Sequence, residues 1–350
     1  MDTLPSYSAV RTIMPELPTD FRCLVVEKSA DSTFTRSVAR RTLADLPAGE
    51  VLIRASWSSL NYKDALSATG SPGVSKTFPH VPGIDVAGVV ATSQSPAFQP
   101  GDQVLVTGFD LGTTRWGGWS DWVRVPADWV VRLPAGLTAR ESMALGTAGL
   151  TAALCVDALL RHDVRPGEGE VLVTGASGGV GSLSVAILAQ LGFHVVAVSG
   201  KPEARERLLA LGARQIIGRA EAIDPSQRPL LSARWAGSVD TVGGTTLATT
   251  LRATRPHGCV AACGLVGGAE LPLTVHPFIL RGVSLLGIDS AWCPAATRQA
   301  IWSRLASDWK PAALGELTRE VELDGLEEPI AAILAGRLSG RLVVRLAADE

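Results

Sequence analysis

Apolar residues along this chain follow two periods, and the change between them falls near residue 134. From Phe21 the runs are short and strand-like, at 23–28, 50–60, 84–93, 102–108 and 120–125, with turns at Pro47-Ala48-Gly49, Pro82-Gly83 and Pro100-Gly101. That pattern predicts an irregular β-rich unit. The stretch 141–160 then repeats apolar residues at helical spacing. Beyond it, strands are expected at 171–173, 194–199, 214–217, 238–242, 259–264 and 283–288, with helices after the first strand and over 204–213 and 244–254. Six strands alternating with helices predict an α/β fold with a doubly wound parallel sheet. Helices at 296–309 and 326–336 and a strand at 340–346 close the chain. Residues 1–20, broken by Pro5, Pro15 and Pro18, are expected to form an arm outside the folded units.

The segment 171–181, VLVTGASGGVG, joins the first parallel strand to its helix. Gly175, Gly178 and Gly181 have the spacing G-x-x-G-x-x-G. In a strand–turn–helix unit such glycines make the tight turn, admit a pyrophosphate to the backbone and let helix and strand pack closely. Ser177, Gly178, Gly179 and Val180 are therefore expected to line a pyrophosphate, and Gly192 to end the helix in a left-handed cap. A merely tight turn is the competing reading, and the next strand argues against it. In NAD-binding units an acidic residue ends that strand and accepts hydrogen bonds from the ribose 2′-hydroxyl. Here the strand ends in Ser199-Gly200-Lys201, a hydroxyl, a glycine and a cation, which suit a 2′-phosphate and predict NADPH. Leu265 and Ser290 follow the fifth and sixth strands, at the C-terminal strand ends where ligands of open α/β sheets bind.

Composition narrows the class. A length of 350 residues favours two domains, and a formal net charge of −2 argues against nucleic acid as a partner. No charge-free apolar run reaches membrane-spanning length, and the charged, proline-broken first twenty residues are unlike a signal peptide. Five scattered cysteines fit a reducing compartment, so a cytoplasmic protein is expected. The cysteines and the five histidines have no metal-ligand spacing, so no metal is expected.

The ordered set SSLNYKDAL, PGIDVAGVV, GDQVLVTG, WGGW, GTAGLTA, TGASGGVGS, VVAVSGK and CVAACGL resembles the zinc-independent medium-chain dehydrogenase/reductase superfamily, and within it the acryloyl-CoA reductase group. The resemblance runs from Phe21 to Leu346. It implies a GroES-like β-rich catalytic domain over 21–150, completed by 300–350, and a Rossmann NADP-binding domain over 151–299. Zinc-dependent relatives carry a Gly-His-Glu segment where this chain has Gly83-Ile84-Asp85, so the ligand histidine is missing. Thr174–Gly181 also fits the motif of short-chain dehydrogenases. Their Tyr-x-x-x-Lys pair lies downstream of the motif, whereas the tyrosines here, Tyr7 and Tyr62, both precede it.

The implied reaction is NADPH-dependent reduction of an α,β-unsaturated thioester. It needs hydride delivery to the β-carbon, hydrogen-bond donors for the enolate oxygen and a proton for the α-carbon. Tyr62 is the first catalytic candidate and Asp64 the second. The competing reading packs Tyr62 in the domain seam and makes Asp64 a helix cap or salt-bridge partner. By the resemblance, Tyr62 also contacts the nicotinamide end of the cofactor and Arg219 reaches the adenosine phosphate; an exposed loop arginine is the other reading of Arg219. Arg281, Arg298, Arg304 and Lys310 are candidates for the phosphates of an acyl-CoA substrate, or else a solvated basic face. Quinone reduction is the alternative activity and nucleotide binding without catalysis the alternative class. A homodimer is expected, because the apolar strand at 283–288 ends the parallel sheet with an unpaired edge.

Overall fold

The computed structural model describes residues 17–346, so the arm expected over 1–20 lies outside the described residues apart from 17–20. The described chain begins with an antiparallel ribbon of β1 (Phe21–Lys28) and β2 (Phe34–Arg41). There follow β3 (Val51–Ser59), α1 (Tyr62–Ala68), β4 (Asp85–Ser93), β5 (Gln103–Thr107), β6 (Trp122–Val125) and β7 (Val131–Arg132). Next come α2 (Ala139–Arg161), β8 (Glu170–Val173), α3 (Gly179–Gln190), β9 (His194–Val198), α4 (Arg205–Ala210) and β10 (Gln215–Ile217). Then come β11 (Trp235–Asp240), α5 (Gly244–Ala253), β12 (Thr254–Ala262), α6 (His276–Arg281), β13 (Ser284–Gly287) and α7 (Ala295–Leu305). The end of the chain forms β14 (Thr318–Glu322), α8 (Glu327–Leu334) and β15 (Arg341–Arg345).

Strands β8 to β13 build the expected doubly wound sheet, all parallel, in the order β10-β9-β8-β11-β12-β13. Val171, Val173, Val195, Ala197, Val239 and Ala261 are fully buried, as strands covered by helices on both faces require. Strand order reverses between β8 and β11, so the glycine turn after β8 sits at the crevice where such sheets bind ligands. The second large sheet runs β14-β15-β3-β4-β5-β7, with β6 also paired to β3. Because β15 lies antiparallel to β3, the end of the chain returns to complete this sheet.

Strands β2 and β14 have no counterpart in the hydrophobic pattern. Each pairs on one side only, and sequences such as FTRSVARR and TREVE leave charged side chains on an exposed edge where apolar alternation is not needed.

Helix α2 departs from expectation at one point. Its start is a capping box: Thr138 Oγ1 accepts from the Glu141 amide at 3.1 Å, and Glu141 accepts from the Thr138 amide at 2.9 Å. The expected continuous helix is broken at Gly146, which has φ 53° and ψ −155°. A Cβ there would lie 2.4 Å from Asp85 Oδ2, so packing as well as backbone conformation demands glycine. The helix contains an apolar window as long as a membrane span, although its charge-free run, 142–156, is shorter, as expected from the sequence. Most of that apolar window, 78 %, is buried against α3, β3 and β4, and α2 is the helix on which the two sheets meet.

Candidate active site

The break in α2 turns Thr147 towards the seam between the two sheets. Its amide donates to Asp85 at 3.0 Å and its hydroxyl donates at 2.6 Å. Asp85, at the start of β4, also accepts from Ser59 Oγ at 2.6 Å and from Asn61 Nδ2 at 2.8 Å. Asn61 precedes α1, and its amide and side chain both donate to Asp64, at 2.7 and 3.0 Å. The other Asp64 oxygen accepts from the Ile84 amide at 2.7 Å. Two buried carboxylates thus share one asparagine. The compensating cation is Arg341, at the start of β15, which donates to Asn61 Oδ1 at 3.0 Å, Ala144 O at 2.7 Å and Met143 O at 3.3 Å. Burial pulls its guanidinium below the usual arginine range, and Asp85 and Asp64 pull it back up.

This cluster fixes the N-terminus of α1, and with it Tyr62. Tyr62 is 43 % exposed, and its hydroxyl makes no hydrogen bond among the described residues, so a free donor stands at the seam. Asp64 is different. It is fully buried, cannot reach a substrate, and acts on Tyr62 only by holding the α1 backbone, which corrects its candidacy as a catalytic group. Burial first, and then repulsion from Asp85, pushes its carboxyl up to about 7.

The folded chain therefore holds the Asp64 proton more tightly than an unfolded aspartate, whose value is about 3.9. The stabilisation is complete below about pH 4 and is lost as pH rises towards 7. The stability of the parent protein relative to Asp64→Asn should fall over that window. Parallel thermal melting curves from pH 4 to 8 for the two proteins would contradict this assignment.

Across the seam, Ser177, Gly178, Gly179 and Val180 form the turn into α3, whose first amides have no partner inside the helix. Gly175 has φ 58°. A Cβ on Gly181 would meet Gly175 O at 2.3 Å, so the third glycine serves close helix–strand packing. The two halves of the site touch: a Cβ on Gly179 would lie 3.2 Å from an Arg341 guanidinium nitrogen, and the Gly340 amide donates to Ser177 O at 3.1 Å. Leu265, 67 % exposed, stands in the turn after β12. Ser290 follows β13, and its hydroxyl pairs with Thr151 Oγ1 at 2.7 Å, which in turn donates to Thr147 O at 2.6 Å.

At the far end of the crevice, Ser199, Gly200 and Lys201 follow β9. The Lys201 amide donates to Ser199 Oγ at 3.2 Å. Its ammonium reaches Leu338 O at 2.7 Å and Ser339 Oγ at 3.2 Å, in the loop before β15. Arg219 lies against Gly200, where a Cβ would come within 2.6 Å of the Arg219 Nε. Arg207, on α4, has a buried Nε without a partner. Lys201 is held below the usual lysine range by burial, against the pull of Glu203, with Arg219 and Arg207 adding to the lowering. An orphaned guanidinium nitrogen among crowded cations is an anion site in its chemistry, and a nucleotide phosphate fits it. No carboxylate ends β9 to oppose one.

Sequence reasoning missed Asp85, Thr147, Arg341 and Arg207. The available signals were an aspartate opening the buried run IDVAGVV and an arginine opening the apolar run RLVVR. The four proposed coenzyme A cations are not free. Arg281 donates to Arg252 O, Thr254 O and Leu231 O. Arg298 is buried beneath the loop at 289–291, Arg304 pairs with Asp157, and Lys310 pairs with Glu141. Among the described residues no three of His, Cys, Asp and Glu are grouped to hold a metal ion.

A glycine cradle and a cationic corner facing a tyrosine across a two-sheet seam define a two-domain, nicotinamide-dependent oxidoreductase. Residues 179–307 match the zinc-binding dehydrogenase family and residues 47–135 the alcohol dehydrogenase GroES-like domain. Acrylyl-CoA reductase AcuI of Ruegeria pomeroyi is 49 % identical over 325 residues, covering 93 % of this chain and 98 % of that protein. The yhdH oxidoreductase of Salmonella enterica, solved in complex with NADP, has a TM-score of 0.91 at 45 % identity, covering 93 % of this chain and all of that one. Bacillus subtilis protein yhfP, solved with NAD bound, has a TM-score of 0.91 at 44 % identity, covering 94 % and 100 %. The chain belongs to the zinc-independent medium-chain dehydrogenase/reductase superfamily, in its acryloyl-CoA reductase group.

Proposed function

We infer that the protein reduces the C=C bond of acryloyl-CoA, giving propionyl-CoA, with NADPH as reductant. The observation that carries this reading is identity of 49 % to an acrylyl-CoA reductase along 93 % of the chain. In this reading the turn at Ser177–Val180 and the α3 amides hold the pyrophosphate, while Ser199, Gly200, Lys201 and Arg219 hold the 2′-phosphate. Leu265 and Ser290 line the path between. When bound, the dinucleotide supplies the hydride for the β-carbon. Tyr62 presents its hydroxyl at the nicotinamide end. Asn61, Asp64, Asp85, Thr147 and Arg341 position it and exclude water from beneath it. The division into a catalytic domain over 21–150 with 300–350 and a cofactor domain over 151–299 belongs to the same proposal.

NADPH oxidation should be followed with acryloyl-CoA, a longer enoyl-CoA and a quinone side by side. Acryloyl-CoA is expected to be reduced fastest, and a comparable quinone rate overturns the assignment. Use of NADH is the second reading for the cofactor, favoured by the NAD-bound relative.

The proposal includes a cytoplasmic homodimer. The cysteines, Cys23, Cys155, Cys259, Cys263 and Cys293, are all free, which suits a reducing compartment. Strand β13 pairs on one side only, and beside it Val275, Ile279 and Leu280 are more than 60 % exposed, a surface suited to a second copy. Sedimentation at micromolar protein should give a dimer, and a monomer would contradict this.

A further inference from the structure

If the substrate is an acyl-CoA, as inferred above, its long nucleotide tail must leave the pocket over protein surface. The cations that the sequence offers for that tail are committed to internal contacts. The surface beside Ser290 is aromatic instead. Trp292, two residues on, is 57 % exposed and makes a T-shaped contact with Phe109, ring centroids 5.7 Å apart. Phe109 in turn stacks on Trp129 at 5.1 Å with the rings within 2° of parallel. Phe109 follows β5 and Trp292 follows β13, so the ledge bridges the two sheets at the mouth of the seam.

The ledge is rigid. Phe109 holds φ 53°, in the left-handed region that non-glycine residues rarely occupy, and its amide donates to Ala291 O at 3.0 Å. The buried Arg298 guanidinium lies 4.3 Å from the Phe109 ring centroid. It donates to Thr107 O at 2.6 Å, Ser290 O at 3.0 Å and Ala291 O at 2.9 Å, tying the two loops together. Asp289 fixes the Trp292 backbone by accepting from the Ala291 and Trp292 amides at 3.0 and 3.1 Å. A large apolar side chain, more than half of it exposed, is thus kept in water on a fixed backbone. At the other end of the stack, the Arg115 guanidinium donates to Ala48 O and lies 5.5 Å from the Trp129 centroid, so it too is held by internal contacts and adds only a positive field near the ledge.

We propose that Trp292, braced on Phe109 and the buried Trp129, docks the nucleotide tail of the acyl-CoA substrate, with the adenine stacked on the exposed part of the Trp292 ring. An aromatic–base stack on this scale corresponds to roughly 5- to 150-fold in affinity. Trp292→Ala should therefore raise the KM for acryloyl-CoA within that range, leaving the KM for NADPH unchanged. The rate on the acryloyl thioester of N-acetylcysteamine, which lacks the nucleotide, should not move. Trp292→Phe should recover part of the loss. Free coenzyme A should also quench the tryptophan fluorescence of the NADPH-loaded parent protein but not of Trp292→Ala. An unchanged KM for the CoA thioester, equal loss on both thioesters, or no quenching by coenzyme A overturns the proposal. Quenching without turnover of acryloyl-CoA overturns the assigned reaction and leaves the ledge standing.

Discussion

Arg341→Met is expected to lose about 3–5 kcal/mol of stability, the usual penalty for removing one partner from a buried ionic cluster. The methionine fills most of the volume, so the loss is electrostatic. Ala144 O, Met143 O and Asn61 Oδ1 lose their donor, and Asp64 and Asp85 face each other without the guanidinium. The penalty should depend on pH, because the Asp64 carboxyl is pushed up to about 7 and repels Asp85 only when ionised. Urea unfolding at pH 8 should therefore give a larger loss than at pH 5.5. Activity should fall with stability, since Asn61 fixes the start of the helix that carries Tyr62. A loss below about 1 kcal/mol, or an equal loss at both pH values, would mean that Arg341 is merely packed there.

Lys201→Ala should raise the KM for NADPH about ten- to over a hundredfold, while the KM for NADH stays within a factor of about two. A charge-assisted contact to a dianionic phosphate sets that range. In the protein itself the ammonium has only neutral acceptors, Leu338 O and Ser339 Oγ, so its charge is available to an anion. Those same contacts tie the end of β9 to the loop before β15, so the lysine also joins the two halves of the crevice. Ser339→Ala removes one arm of that tie without touching the cation and should leave the preference between cofactors intact. Steady-state rates with both cofactors test this. Equal weakening of NADPH and NADH by the Lys201 substitution would remove the 2′-phosphate from the account of Ser199 to Lys201.

Much of this architecture is legible in the chain because it rests on short-range physics. The strand–turn–helix unit from Val171 to Gly192 declares itself through an unbroken apolar run, helical spacing and glycines where φ is positive, at Gly175 and Gly192. The corner at Ser199–Lys201 is legible because the end of a strand fixes its place relative to the cradle. Edge strands β2 and β14 are hidden, since one open side removes the need for apolar alternation. The break in α2 is hidden too: Gly146 sits within an apolar run at helical spacing, and what demands it is the Asp85 carboxylate, at the start of β4. The polar cluster is decided by tertiary structure alone. Asn61 and Arg341 stand 280 positions apart, and only the return of β15 to the edge of β3 brings them within hydrogen-bonding distance. Local sequence thus determined the glycine turn and the cationic corner proposed for the phosphates. Which carboxylates share a cation, and therefore what holds Tyr62 in place, was decided by long-range packing, because burial creates the demand for a partner and topology alone supplies it.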